Sequence, residues 1–204
     1  MRLFVALDID DNIRERIARF IGEVRGFAPE ARWVRPESLH VTLKFIGEGS
    51  EDDVEKITQA LASIEFAAIE LNVHGYGFFP GNRAAKAFWA GIEAGPNLAS
   101  LAETVDERLA RAGISSEQRS FTPHLTLARG SRSGNLRKKK GHDSIHGRRS
   151  FQRLQEDIAS RPALEFGRMT SREFFLYQSQ LSADGSKYSK LAAFSLQERF
   201  EHKS

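Results

Sequence analysis

Apolar residues first come as a short β-rich run, LFVALDI (3–9), interrupted only by Asp8, which predicts a short strand ending at Asp10 and Asp11. The next ones, Ile13, Ile17, Phe20, Ile21 and Val24, recur at helical spacing and predict a helix over DNIRERIARFIGEVRG. In ARWVRPESLHVTLKFIGEG the period drops to two, so a proline-marked turn leads into a strand of alternating polarity. Ser50 and Asp53 make an approximate capping box ahead of VEKITQALASI, a second helical pattern. AAIELNVHGYGFFP and AKAFWAGI predict two strands joined at 80–83. LASLAETVDERLARAG predicts a helix capped by Gly113, and a second alternating strand, in FTPHLTLAR, follows it. FQRLQEDIAS predicts a short helix. REFFLYQSQLSADGSKYSKLAAFSLQERF predicts two strands joined at 183–185, where Asp-Gly supplies tight-turn chemistry.

Helices and strands are thus interleaved in two comparable stretches, each with one copy of His-x-Thr-Leu: HVTL at 40–43 and HLTL at 124–127. The order predicts one domain, 1–204, with an internal duplication. The expected fold class is α+β, with two sheet-containing lobes facing each other and helices outside.

Side chains alternate along a strand, so His40, Thr42 and Lys44 are expected on one face and Val41, Leu43 and Phe45 on the other. The same split sets His124 and Thr126 against Leu125 and Leu127. The apolar face belongs to the core, which turns each histidine and threonine toward water or a cleft. A lone histidine on a strand is usually a surface or hydrogen-bonded residue, but a repeated His-x-Thr-Leu calls for a shared explanation. Two imidazoles with reference pKa near 6.5 can be one neutral and one protonated near neutral pH, the pairing for simultaneous general base and general acid catalysis. Threonine hydroxyls two residues on can hold the non-bridging oxygens of a phosphate. A ring on each side of phosphorus is what in-line displacement requires.

Composition narrows the chemistry further. A chain of 204 residues, 40% hydrophobic, can bury a sizeable core. It has no cysteine, which removes disulfides, thiolate metal sites and a cysteine nucleophile. No apolar run approaches the roughly 20 residues needed to span a bilayer, so no membrane partner and a cytoplasmic location are expected. The net charge is +3, but eight of the Lys and Arg residues lie at 129–149 beside a single acid, Asp143. Without them the chain carries 22 basic and 26 acidic residues, so the basicity is local. The segment 130–150 is rich in glycine and serine and poor in apolar residues. It is expected to be a basic, flexible loop able to contact an RNA backbone.

HVTL and HLTL, with RWVRPESLHVTLKFIGE, FTPHLTLARG, the opening MRLFVALDI and the late QSQLSADGSKY, resemble the two-histidine phosphoesterases, and among them the RNA 2',3'-cyclic phosphodiesterases, historically called 2'-5' RNA ligases. The resemblance implies a bilobal fold of two pseudo-symmetric lobes, each with an antiparallel sheet facing a central cleft. It also implies hydrolysis of RNA 2',3'-cyclic phosphate ends to 2'-phosphates with no metal and no cofactor, and possible reversible 2'-5' ligation. By motif position His40 is the implied general acid and His124 the general base, with Thr42, Thr126 and Arg129 on the phosphate and Phe45 stacking on the terminal base. Strict alternation, however, sets Phe45 and Arg129 on the face opposite the rings. Either the strands end or bulge before those positions, or these two assignments fail. The implied partners are RNA ends with a 2',3'-cyclic phosphate, tRNA halves among them, met by a monomer. Alternatives are a phosphodiesterase of small cyclic nucleotides and a non-catalytic RNA- or nucleotide-binding module.

Other signals carry less. His142 and His146 have helical metal-ligand spacing in a segment without helical character. GYGFFP opens no helix and is not a dinucleotide fingerprint. Trp33 and Trp89 sit in apolar, strand-like surroundings and are expected in the core, Trp33 close enough to the first motif to line a cleft edge.

Overall fold

The structure, a computed structural model, describes residues 1–130, 151–182 and 185–197. The basic segment at 131–150, with His142 and His146, and the hairpin turn at 183–184 lie outside the described residues. The chain runs β1 (Arg2–Asp8), α1 (Asp11–Val24), β2 (Arg32–Trp33), β3 (His40–Glu48), α2 (Glu51–Ala62), β4 (Ile69–Phe79), β5 (Ala87–Ala94), α3 (Pro96–Arg111) and β6 (His124–Arg129). It continues through α4 (Gln152–Ala159), β7 (Glu165–Ser171), β8 (Glu173–Ser182) and β9 (Gly185–Ser195). Two antiparallel sheets result, one ordered β3-β1-β8-β9 and the other β2-β6-β5-β4-β7.

Local chemistry sets the helix ends. All five apolar residues of the α1 periodicity are buried. The capping box at α2 is formed: the Ser50 hydroxyl accepts from the Asp53 amide at 3.2 Å, and the Asp53 carboxylate accepts from the Ser50 amide at 2.9 Å. Helix α3 begins at Pro96 and ends in a left-handed Gly113 (φ 89°), with the Ile114 amide donating to the Leu109 carbonyl at 2.9 Å.

Two strand–helix–strand units end in a His-x-Thr-Leu strand: β1-α1-β3, with the two-residue β2 inserted after the helix, and β5-α3-β6. The helices are exchanged between the sheets: α1, which follows β1, packs on β7, and α3, which follows β5, packs on β3. One apolar core therefore runs through both halves, from Val5 and Leu7 on β1 to Phe88 on β5 and Leu125 on β6. A smaller cluster, Phe4, Ala6, Phe175 and Tyr177 with Tyr188 against it, covers the other face of the first sheet. Strands β3 and β6 run beside each other where the two sheets meet, and within the second sheet the Val34 amide, just past β2, continues the β2–β6 pairing by donating to the Leu127 carbonyl at 2.8 Å.

Candidate active site

Each His-x-Thr-Leu strand carries a bulge at its motif leucine, and β3 has a second register shift at Ile46. On β3, Thr42 pairs with Ala6 and Lys44 with Val5, leaving Leu43 as the extra residue. On β6, Thr126 pairs with Trp89 and Ala128 with Phe88, leaving Leu127 as the extra residue. A bulge resets the alternation. Phe45 pairs with Phe4, which shares a face of β1 with Ala6, so Phe45 returns to the side of His40 and Thr42. Arg129 pairs with Ala87, which shares a face of β5 with Trp89, so Arg129 returns to the side of His124 and Thr126. The strict alternation expected for these strands ends at the leucines, and Phe45, on the edge strand of the first sheet, is 59% exposed.

Lys44 corrects the simple period-two reading. It does not share the face of His40 and Thr42 but turns inward, 3% exposed. There its ammonium donates to Asp106 of α3 in a short ion pair and to the Ser115 carbonyl at 2.8 Å. Burial alone would raise the Asp106 carboxyl, but Lys44 and the Glu117 amide hold it below the usual range. The first motif strand thereby grips the loop that leads to His124.

The two rings are oriented alike. His40 Nδ1 lies 2.8 Å from the Ser38 carbonyl and His124 Nδ1 2.7 Å from the Thr122 carbonyl, each two residues back. A carbonyl can only accept, so Nδ1 carries the hydrogen in both rings and Nε2 is left to exchange a proton with a substrate. Arg129 and His124 bear electrostatically on His40. Burial, chiefly, and the Arg129 and His124 charges push His40 down to about 4, against the Ser38 carbonyl and Asp8, which raise it. Burial and Arg129 also lower His124, opposed by the Thr122 carbonyl. Burial and the neighbouring positive charge thus favour the neutral form of both rings.

Aromatic rings line both sides. Phe4 lies 4.7 Å from His40 between ring centroids and Tyr188 meets His40 edge-on at 5.1 Å. Phe45 stands 6.1 Å from Phe4. On the other side Phe79 meets His124 edge-on at 5.0 Å and stacks with Trp89, whose ring is 6.1 Å from His124. Trp89 is therefore a half-buried wall of the His124 site rather than a core residue, and its indole nitrogen is buried with no hydrogen-bond partner among the described residues. Trp33 is half-buried, donates to the Ala28 carbonyl at 3.1 Å and packs edge-on to Phe88. The sequence reading did not single out Phe4, Phe79 or Tyr188. Phe4 is found by the register of β1 against β3, whereas Phe79 on β4 and Tyr188 on β9 reach the rings from strands not paired with the motif strands, and hydropathy carries neither relation.

Residues 7–89 match the family described as LigT like Phosphoesterase. The RNA 2',3'-cyclic phosphodiesterase of Archaeoglobus fulgidus is 31% identical over 194 residues, 95% of this chain and 99% of that protein. That of Methanothermobacter thermautotrophicus is 27% identical, over 96% of this chain and 99% of its own length. The crystal structure of Escherichia coli LigT complexed with 3'-AMP superposes with a TM-score of 0.73, at 26% identity over 97% of this chain and 98% of that one. With its paired His-x-Thr-Leu strands and this extent of similarity, the chain belongs to the RNA 2',3'-cyclic phosphodiesterase family of LigT-like phosphoesterases.

Proposed function

We propose that the protein opens the 2',3'-cyclic phosphate at the end of an RNA, leaving a 2'-phosphate. The observation that carries this reading is the matched pair of bulged strands: each sets a histidine, a threonine and a residue two past the bulge on one face, with both Nε2 atoms available. In this reading His124 takes a proton from water, whose oxygen bonds to phosphorus. The bond from phosphorus to O3' breaks, and His40 delivers the proton that O3' needs. Thr42, Thr126 and Arg129 hold the non-bridging oxygens, and the exposed Phe45 ring stacks on the terminal base. His40, pushed down to about 4 chiefly by burial, acquires its proton as the anionic phosphodiester arrives beside it. The repeated strand–helix–strand order supports an internal duplication within one domain. The substrate class is RNA ends, tRNA halves included, acted on by a monomer, with reversible 2'-5' ligation as the side reaction in which a 5'-hydroxyl attacks phosphorus in place of water and O3' leaves as before.

An RNA ending in a 2',3'-cyclic phosphate, incubated in EDTA beside a small cyclic nucleotide, tests the proposal. A 2'-phosphate end formed at an undiminished rate in chelator is expected. His40→Ala and His124→Ala should each lower kcat by at least about a hundredfold. A 3'-phosphate product, turnover restricted to the small nucleotide, or binding without turnover would each replace this reading.

A further inference from the structure

Helix α1 carries an arginine that reaches the first histidine through two intermediates. The Arg14 guanidinium donates to the Asp8 carboxylate at 2.9 Å, to the Ile9 carbonyl at 2.7 Å and to the Pro36 carbonyl at 2.7 Å. Pro36 opens the single 3-10 turn Pro36–Ser38, and the carbonyl at its other end, on Ser38, is the one that accepts from His40 Nδ1. Asp8 closes the circuit from the other side. It is the register partner of His40 across β1 and β3, it accepts from the Ile9 amide at 2.9 Å, and its second oxygen accepts from Lys190 at 2.6 Å. The Lys190 ammonium is itself held 3.8 Å over the Phe175 ring. Burial alone would raise the Asp8 carboxyl, but Lys190, the Ile9 amide and Arg14 keep it below the ordinary range. It is therefore a fixed negative charge beside a ring that works by exchanging a proton.

We propose that Asp8 and Arg14 are positioning residues for His40: Arg14 spans β1 and the 36–38 turn so that the Ser38 carbonyl holds the ring with its Nε2 toward the cleft, and Asp8 anchors Arg14 while supplying the charge that favours a proton on the ring. A planar guanidinium suits this task because it donates in several fixed directions at once, which an ammonium cannot do on three separated acceptors. His124 is braced differently. Its lead-in loop is tied to Lys44 and Asp106, with no acid paired across the strand, since its register partner is Gly91. Among the described residues, the charged and titratable groups around His40 are Asp8 on β1, Arg129 and His124 on β6, Tyr177 on β8 and Tyr188 on β9. Asp8 is the one among these that raises its proton affinity.

The proposal rests on the acid role given to His40, but its test has a readout that does not. Ring 15N signals of the histidines, followed through a pH titration of the free protein, report tautomer and protonation directly. In the wild type His40 is expected to carry its neutral-state hydrogen on Nδ1. Arg14→Met should give a mixture of His40 tautomers and leave His124 unchanged. On cyclic-phosphate RNA it should lower kcat about 10- to 100-fold, the usual scale for partners behind a functional histidine, with a smaller change in KM. Arg14→Lys should fall between the two. Asp8→Asn keeps an acceptor for Arg14 but removes the charge, so His40 should titrate at lower pH while His124 does not move. If Arg14→Met fails to fold, Arg14→Lys and Asp8→Asn decide the matter alone. Unaltered His40 signals in these variants, or equal shifts at both rings, overturn the proposal. A wild-type protein inert toward cyclic phosphates would defeat the proposed function instead, and the ring signals would still decide for or against the brace.

Discussion

At the residue scale, the two histidines share a sequence motif but not an environment. His40 is pushed down to about 4, mainly by burial, and His124 is lowered as well, so neither keeps the 6.5 of a free imidazole. An acid must be protonated to act, and its contribution fades as pH rises through its pKa. A base must be neutral, and its contribution fades as pH falls through its own. The kcat/KM profile reports these groups in the free enzyme and is bell-shaped, with its maximum midway between two lowered values and hence below pH 6.5. The kcat profile reports the complex, where a bound phosphodiester anion stabilises a protonated ring, so its limb from His40 should lie at higher pH. Initial rates measured from pH 4 to 9 check both statements. A kcat/KM maximum above pH 7 would contradict the environment described for the rings.

At the element scale, the pairing of glycine with tryptophan shapes the His124 side. A Cβ on Gly77 of β4 would sit 2.0 Å from the Trp89 ring, so the indole lies directly on the backbone of the neighbouring strand. Gly77→Ala must push Trp89 out of its stack with Phe79 and disturb both walls of His124. We expect a stability loss of about 1–3 kcal/mol, the range for overpacking, together with a fall in kcat. Gly22→Ala in α1, whose Cβ meets nothing within 4 Å, serves as the control and should be neutral or slightly stabilising. Thermal melts and initial rates on the two variants separate the effects, and a Gly77→Ala enzyme with wild-type kcat would show that the indole does not support the ring. The same element explains what hydropathy could and could not convey. Helices α1, α2 and α3 and the two motif strands were legible because their periodicity and caps are local. The short β2 and the whole of β7 were not. In β7 the buried residues Phe166, Met169 and Ser171 break the period of two, because a register shift and a positive φ at Gly167 insert an extra residue. The bulges at Leu43 and Leu127 were hidden for the same reason. A bulge is defined by the partner strand, and the partner's register is absent from a single run of residues. Resemblance to a family supplied Phe45 and Arg129 where alternation argued against them.

At the scale of the whole molecule, the exchanged helices decide how the protein unfolds. Because α1 packs on β7 and α3 on β3, neither sheet keeps its apolar cover if the other comes apart, and the buried cluster joining them is continuous. Both tryptophans, Trp33 on β2 and Trp89 on β5, belong to the second sheet, so their fluorescence follows that half of the molecule. Leu176 lies on β8 in the first sheet and is fully buried. Leu176→Ala should cost about 2–5 kcal/mol through lost burial and a residual cavity. If the halves are one cooperative unit, tryptophan fluorescence and far-ultraviolet circular dichroism in urea fall together at the same lowered midpoint. A tryptophan transition left at its wild-type midpoint while the dichroism shifts would mean that the sheets unfold separately. The mutual cover by α1 and α3 would then be too weak to hold the two motif strands in register, and the approach of His40 to His124 would need another source.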